Sequence, residues 1–145
     1  MSISAKGLRI IEIYEGCKLK SYICPAGKWT VGIGHVRTAK PGMIITKEQA
    51  YDLLRSDLEI SEASVKRHNL NLNQNQFDAL VSFAFNLGST AFRGSSLLKK
   101  IRLNASEDEI RHQFSRWVHA KGKPIPGLIA RRTDEANLYF LPNTL

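Results

Sequence analysis

The stretch EGCKLKSYICPAGKWTVGIGH, Glu15 to His35, opens on a carboxylate, places a cysteine in a turn and ends on a strand bare on one face. Pro25-Ala26-Gly27 is turn chemistry and separates two strand candidates, Lys18 to Ile23 and Lys28 to Ile33. In the second, Trp29, Val31 and Ile33 alternate with Thr30, Gly32 and Gly34. One face is apolar and the other nearly free of side chains. Glycines weaken a strand interior, so two on one face predict the close approach of a ligand or another backbone, with a bulge as the structural alternative. A ligand lying there would have Thr30 as its polar neighbour.

Upstream, residues from about Ser4 to Tyr14 are predicted to be helical, with Leu8, Ile11 and Glu15 on one stripe and Glu12 at its polar edge. Ser2 or Ser4 is the expected cap. Glu15 at the C-terminal end meets apolar neighbours and the negative end of the helix dipole, surroundings that suit a proton donor. The plainer alternative turns Glu15 to solvent where Gly16 ends the helix. Downstream, Thr46-Lys47-Glu48-Gln49 is a capping box opening a helix with Ala50, Leu53, Leu54 and Leu58 on one side. That helix is predicted to continue to about Arg67.

Length and composition bound the remainder. A chain of 145 residues with 43% apolar content and five prolines is read as one folded domain with a real core. No apolar run approaches the roughly 20 residues that cross a bilayer. Glu12 and Glu15 interrupt the first apolar block, so no export signal is read and folding in a cytoplasm is expected. A net charge of +8 predicts attraction to polyanions. The basic residues are scattered (Lys18, Lys20, Arg37, Lys66, Lys99, Lys100, Arg131, Arg132), without zinc-finger spacing or an aromatic RNA-binding signature, so no nucleic-acid partner is expected. Two cysteines make no disulfide framework, and pairing of Cys17 with Cys24 is left open.

The second half reads as helices. Asn73 to Gln76 opens one carrying Phe77, Leu80, Val81 and Ala84, and Gly88 stops it. A shorter stretch carries Leu97, Leu98 and Ile101, and Ser106 to Glu109 opens another with Ile110, Phe114, Trp117 and Val118. Lys121 to Pro126 is predicted to be a loop, and the last helix to run from Leu128 to about Tyr139. The aromatics in these helices are read as core.

Glu15, eight residues, Cys24, five residues, Thr30, then TVGIGH: this order resembles the phage T4-type lysozymes, or endolysins, of glycoside hydrolase family 24. FNLG at Phe85 to Gly88, SSL at Ser95 to Leu97, SRW at Ser115 to Trp117 and GLIARRTDE at Gly127 to Glu135 extend the resemblance over nearly the whole chain. It implies an α+β fold, with a small lobe (about 1–45) bearing a hairpin sheet, a linking helix and helical lobe (about 46–145), and a cleft between them. It also implies hydrolysis of the β-1,4 bond between N-acetylmuramic acid and N-acetylglucosamine. By resemblance Glu15 is the general acid, Cys24 and Thr30 complete the catalytic set, and His35 pairs structurally with Asp57. Gly34 and Val36 border the glycan by the strand argument, and Phe85 and Ser96 by alignment. Arg111 replaces a neutral polar residue of a relative and is left out.

Cys24 stands where Asp is commoner, though the family carries either residue. An unperturbed thiol, with a pKa near about 8.5, is mostly neutral at pH 7. Weak base, thiolate nucleophile (if Lys18, Lys28 or His35 lowers that value), a group of shape and polarity only, and inert thiol all remain open. No cofactor or metal is called for. The expected partner is the glycan strand of peptidoglycan, met by a monomer that does not insert stably into membranes. The resemblance implies storage in the bacterial cytoplasm and escape to the wall through a holin-made lesion. The competing readings are a Cys24/His35 thiol peptidase acting on wall peptides, a non-catalytic wall-binding module, and membrane disruption by the basic C-terminal helix.

Overall fold

Helix α1 (Ala5–Glu15) ends where Gly16 takes φ +77° and its amide donates to Glu12 O at 2.8 Å. Glycine adopts that conformation without a Cβ penalty, which frees the chain to turn into strand β1 (Lys18–Ile23). The computed structural model describes residues 1–143 and divides into two compact units, Ile11–Glu59 and Met1–Ile10 with the chain from Ile60 onward.

In the first unit β1 pairs antiparallel with β2 (Trp29–Gly32), through Lys18↔Gly32, Tyr22↔Thr30 and Ile23↔Trp29. The register shifts between Lys18 and Tyr22. There β1 bonds outward instead: Ser21 N donates to Met43 O, and Ile45 N to Leu19 O, both at 2.9 Å. The second strand is shorter than the sequence predicts. Gly32 and Gly34 take φ of +66° and +68°, and Val31 and His35 exchange backbone hydrogen bonds of 2.9 and 3.0 Å, so the chain folds back before Ile33 can extend it.

The linking helix also departs from expectation. Thr46 and Gln49 form the capping box of α2 (Lys47–Asp57), but the helix breaks at Leu58 before α3 (Glu59–Lys66). The Leu58 amide is shared between Leu54 O and Ser56 O, its side chain is fully buried, and the preceding Asp57 lies 2.8 Å from His35 Nδ1. Ile11, Val31, Ile33, Ala50, Leu54 and Leu58 are buried. Glu12, expected at a polar edge, joins α1 to α2: Lys47 Nζ lies 2.6 Å from it and the Tyr51 hydroxyl donates to it.

The second unit continues with α4 (Gln74–Leu87), α5 (Ser89–Arg93), α6 (Ser96–Arg102) and α7 (Glu107–Ser115). Strands β3 (His119–Ala120) and β4 (Lys123–Pro124) precede α8 (Pro126–Tyr139). The predicted loop at 121–126 is thus half hairpin. Lys121 and Gly122, at φ +52° and +76°, turn it, and Pro126 begins α8 at N1, where its missing N–H costs nothing. Ser4 does not cap α1 with its side chain. Its amide and hydroxyl both donate to buried Asp78, which fixes the N-terminus on α4.

Phe83 on α4 centres the core of this unit, edge-on to Phe92 at 6.1 Å and to Phe114 and Trp117 at 5.8 Å. Arg131 and Arg132, counted above among scattered surface charges, are 3% and 1% exposed and close around fully buried Glu135. Ser82 donates to the same carboxylate at 2.5 Å.

Candidate active site

The predicted catalytic residues Glu15, Cys24 and Thr30 all belong to the first unit, as do Gly34, His35, Val36 and Asp57. Glu15 is the last residue of α1, and its side chain is half-buried. A Cβ at Gly34 would lie 3.2 Å from Glu15 Oε1. The bare position therefore makes room for the carboxylate. Gly32 serves packing, since a Cβ there would come within 3.2 Å of Ile45 and 3.3 Å of Ala50. The two glycines do not share an open face for a sugar; positive φ at both rotates them apart from simple strand alternation.

Cys24 sits at the first corner of the hairpin turn. Its carbonyl accepts from Gly27 N at 2.8 Å, and its amide donates to Lys28 O at 2.9 Å. Pro25 presets the turn and Gly27, at φ +79°, closes it. The Lys28 amide first, then the Thr30 hydroxyl and the Ala26 amide, hold the thiol below its ordinary pKa because each stabilises the thiolate. Thr30 is 3% exposed, and its hydroxyl also reaches Lys28 O at 3.1 Å. Lys28 and Ala26 act here through backbone N–H groups, a contribution that side-chain motifs do not display. Cys17 and Cys24 are both free thiols.

His35 is fully buried with both ring nitrogens engaged: Nδ1 lies 2.8 Å from Asp57 Oδ2 and Nε2 lies 2.6 Å from Thr38 Oγ1. A Cys24/His35 peptidase dyad needs that imidazole at the sulfur, and it is committed elsewhere. Val36 is 40% exposed beside the loop. In the second unit, Phe85 is half-buried near the end of α4. Ser96 is exposed at the start of α6, on a cavity of about 330 Å³ shared with Arg116 and Trp117. Arg111 pairs with Glu107 at 2.8 Å, bonds Asn137 at 2.8 Å and lies over the Phe140 ring. Among the described residues no cluster of metal-ligating side chains occurs.

The phage lysozyme family model matches residues 12–135. The chain belongs to the phage lysozyme family. This phage lysozyme is 42% identical to the endolysin of Acyrthosiphon pisum secondary endosymbiont phage 1, over 96% of the chain and 98% of the relative. It is 36% identical to the endolysin of Salmonella phage P22, over 97% and 99%. Among solved structures, the endolysin of Escherichia coli O157:H7 phage FAHEc1 superposes with a TM-score of 0.86 at 36% identity, over 97% of this chain and 94% of that one. The mixed helical and hairpin architecture is lysozyme-like, as the resemblance implied. The activity of this phage lysozyme is hydrolysis of peptidoglycan, a glycoside hydrolase reaction. The peptidase and non-catalytic alternatives are set aside.

Proposed function

We propose that Glu15 is the general acid for cleavage of the muramic acid–glucosamine bond, and that Cys24 and Thr30 manage the attacking water. Glycoside hydrolysis requires a proton for the leaving oxygen and a second group at the anomeric carbon. The Glu15 carboxyl donates its proton to the glycosidic oxygen as the C1–O bond breaks. Water, held by the Thr30 hydroxyl, forms the new bond to C1 from the opposite face, and the Cys24 thiolate takes the proton that water releases. The anomeric centre inverts.

The observation that carries this reading is the Cys24 turn, where the Lys28 amide and the Thr30 hydroxyl favour a thiolate on the same unit as the Glu15 carboxylate. Glu15→Gln is expected to reduce lysis by about 10²–10⁴-fold with an unchanged fold. Cys24→Ala is expected to lose activity and Cys24→Asp to retain it. Full activity in Cys24→Ala would return Cys24 to a spectator. The rate should fall as pH drops through the lowered thiol value in wild type, and this limb should move in Cys24→Asp. Mass spectrometry of fragments released in isotope-labelled water reads both the bond cut and the stereochemical course.

In this reading the enzyme acts as a monomer on glycan strands, waits in the host cytoplasm and reaches the wall through a holin-made lesion. Membership of a family of phage endolysins supports that route. Among the described residues no helix is long and apolar enough to cross a membrane. Lysis of cells expressing the chain should require co-expressed holin, and sedimentation should give the 16.3 kDa species.

A further inference from the structure

The helical unit has a cavity of about 560 Å³ whose wall contains none of the residues assigned to the lysozyme reaction but includes His68 and Arg102. A second cavity of about 370 Å³ shares Arg102 and adds Arg93 and Lys99. Arg102 lies at the end of α6, Arg93 at the end of α5, and Arg67 just beyond α3. Basic residues at helix ends complement the dipole, which accounts for each position singly. It does not account for their convergence. Arg102 donates to His68, Arg67 precedes it in the chain and Arg93 shares a cavity wall with Arg102, so all three charges bear on one imidazole.

The imidazole is held neutral. Arg102 Nη2 lies 2.8 Å from His68 Nδ1, and a guanidinium only donates, so Nδ1 is the acceptor and the ring proton sits on Nε2. Among the described residues the buried Nε2 has no hydrogen-bond partner, and the ring stands edge-on to Phe92 at 5.6 Å. Burial, then the charges of Arg102, Arg67 and Arg93, push the histidine below its ordinary value. Among the described residues, none of the three arginines forms an ion pair with an Asp or Glu, and all three are exposed. Guanidinium forks match planar oxyanions two bonds at a time, and an unopposed group of them attracts such ions.

We propose that Arg67, Arg93 and Arg102, gathered around His68, form a wall-anchoring site that binds the stem-peptide carboxylates of peptidoglycan. The inference rests on the peptidoglycan reading of the chain. Carboxylate is favoured over phosphate because it is the oxyanion that peptidoglycan itself carries. The two cavities that share Arg102 give a peptide room to lie across the guanidinium groups.

The test titrates the full chain with a muropeptide bearing free stem carboxylates, following the His68 ring and arginine side-chain resonances. Parallel titrations use the same muropeptide with its carboxylates amidated, and inorganic phosphate. Saturable shifts at His68 and Arg102 with the free acid, lost on amidation, are expected. Arg93→Gln should weaken binding roughly tenfold, the size of one charge-assisted bond, and Arg93→Lys should restore part of it. Arg102→Gln should do at least as much, but it also strips His68 of its donor; Arg93 bears no such bond and keeps the test independent of folding. Equal binding of the amidated muropeptide, a response to phosphate alone, or no response overturns the proposal. Because no bond is cut, failure here is separable from failure of the hydrolase reading, which lysis by wild type against Glu15→Gln reports.

Discussion

At the Cys24 turn a polar side chain is held by the backbone of a tight loop, whereas around Glu135 polar side chains hold one another across helices. Cys24 takes its electrostatic character from amides of its own turn, and Gly34 makes room for Glu15 by lacking a side chain. Glu135 instead is held by Arg131, Arg132 and Ser82, contributed by α8 and α4. The first arrangement is local in sequence and tuned by backbone angles. The second depends on the whole packed scaffold and fails as a unit.

That contrast sets the largest expected stability effect. Glu135→Ala leaves two buried guanidinium groups without their shared carboxylate, and removing one partner of a buried ion pair typically costs about 3–5 kcal/mol. Chemical denaturation should find the helical unit unfolding early. A loss near that of a surface substitution would show that the cluster is not coupled to the packing around Phe83.

The next effect separates two glycines of nearly equal φ. Alanine in a left-handed conformation costs roughly 1–2 kcal/mol, so Gly32→Ala and Gly34→Ala should lose similar stability from strain alone. Their neighbours differ. At Gly32 the new methyl meets Ile45 and Ala50, adding a packing penalty, while at Gly34 it meets Glu15 Oε1 at 3.2 Å. Lysis per folded molecule should therefore fall at least about tenfold in Gly34→Ala and stay near wild type in Gly32→Ala, since small displacements of a catalytic group are costly. Equal lytic loss in both would mean that the loop, not the carboxylate, is what Gly34 protects.

The same pair shows how far the sequence could be read. The turn at Pro25-Ala26-Gly27 was legible because it is local, and the capping boxes at Thr46, Asn73 and Ser106 were legible for the same reason, whereas the grouping of Glu15, Cys24 and Thr30 came from the family resemblance. The end of β2 was not, because alternation treats Gly32 as one more strand residue and carries no sign of φ. The break at Leu58 was hidden by an unbroken apolar stripe, and the contact beside it, His35 with Asp57, joins residues 22 apart in sequence. Arg131 and Arg132 looked like surface charge because burial of a guanidinium is decided by its partners, here a serine 49 residues from Arg131 and a glutamate one turn on.

The smallest effect tests the comparison at the helix ends, where both units use the same device with different chemistry. The boxes of α2 and α4 close with the amides of Gln49 and Gln76, while that of α7 closes with the carboxylate of Glu109. Ser106→Ala should cost about 1 kcal/mol, as loss of a cap does elsewhere, and Thr46→Ala a similar amount. Acid should distinguish them. The Ser106 amide, then Lys100, hold Glu109 below the ordinary carboxylate range. A depressed folded-state value means that the ionised cap stabilises fully above that range and that the contribution is lost as pH falls through the lowered value. The Gln49 box has no such titration. Hydrogen exchange in the first turns of α7 and α2 should diverge on acidification in wild type and run parallel in Glu109→Gln. Divergence that survives the substitution would place the acid sensitivity of α7 in its neighbours rather than in its cap.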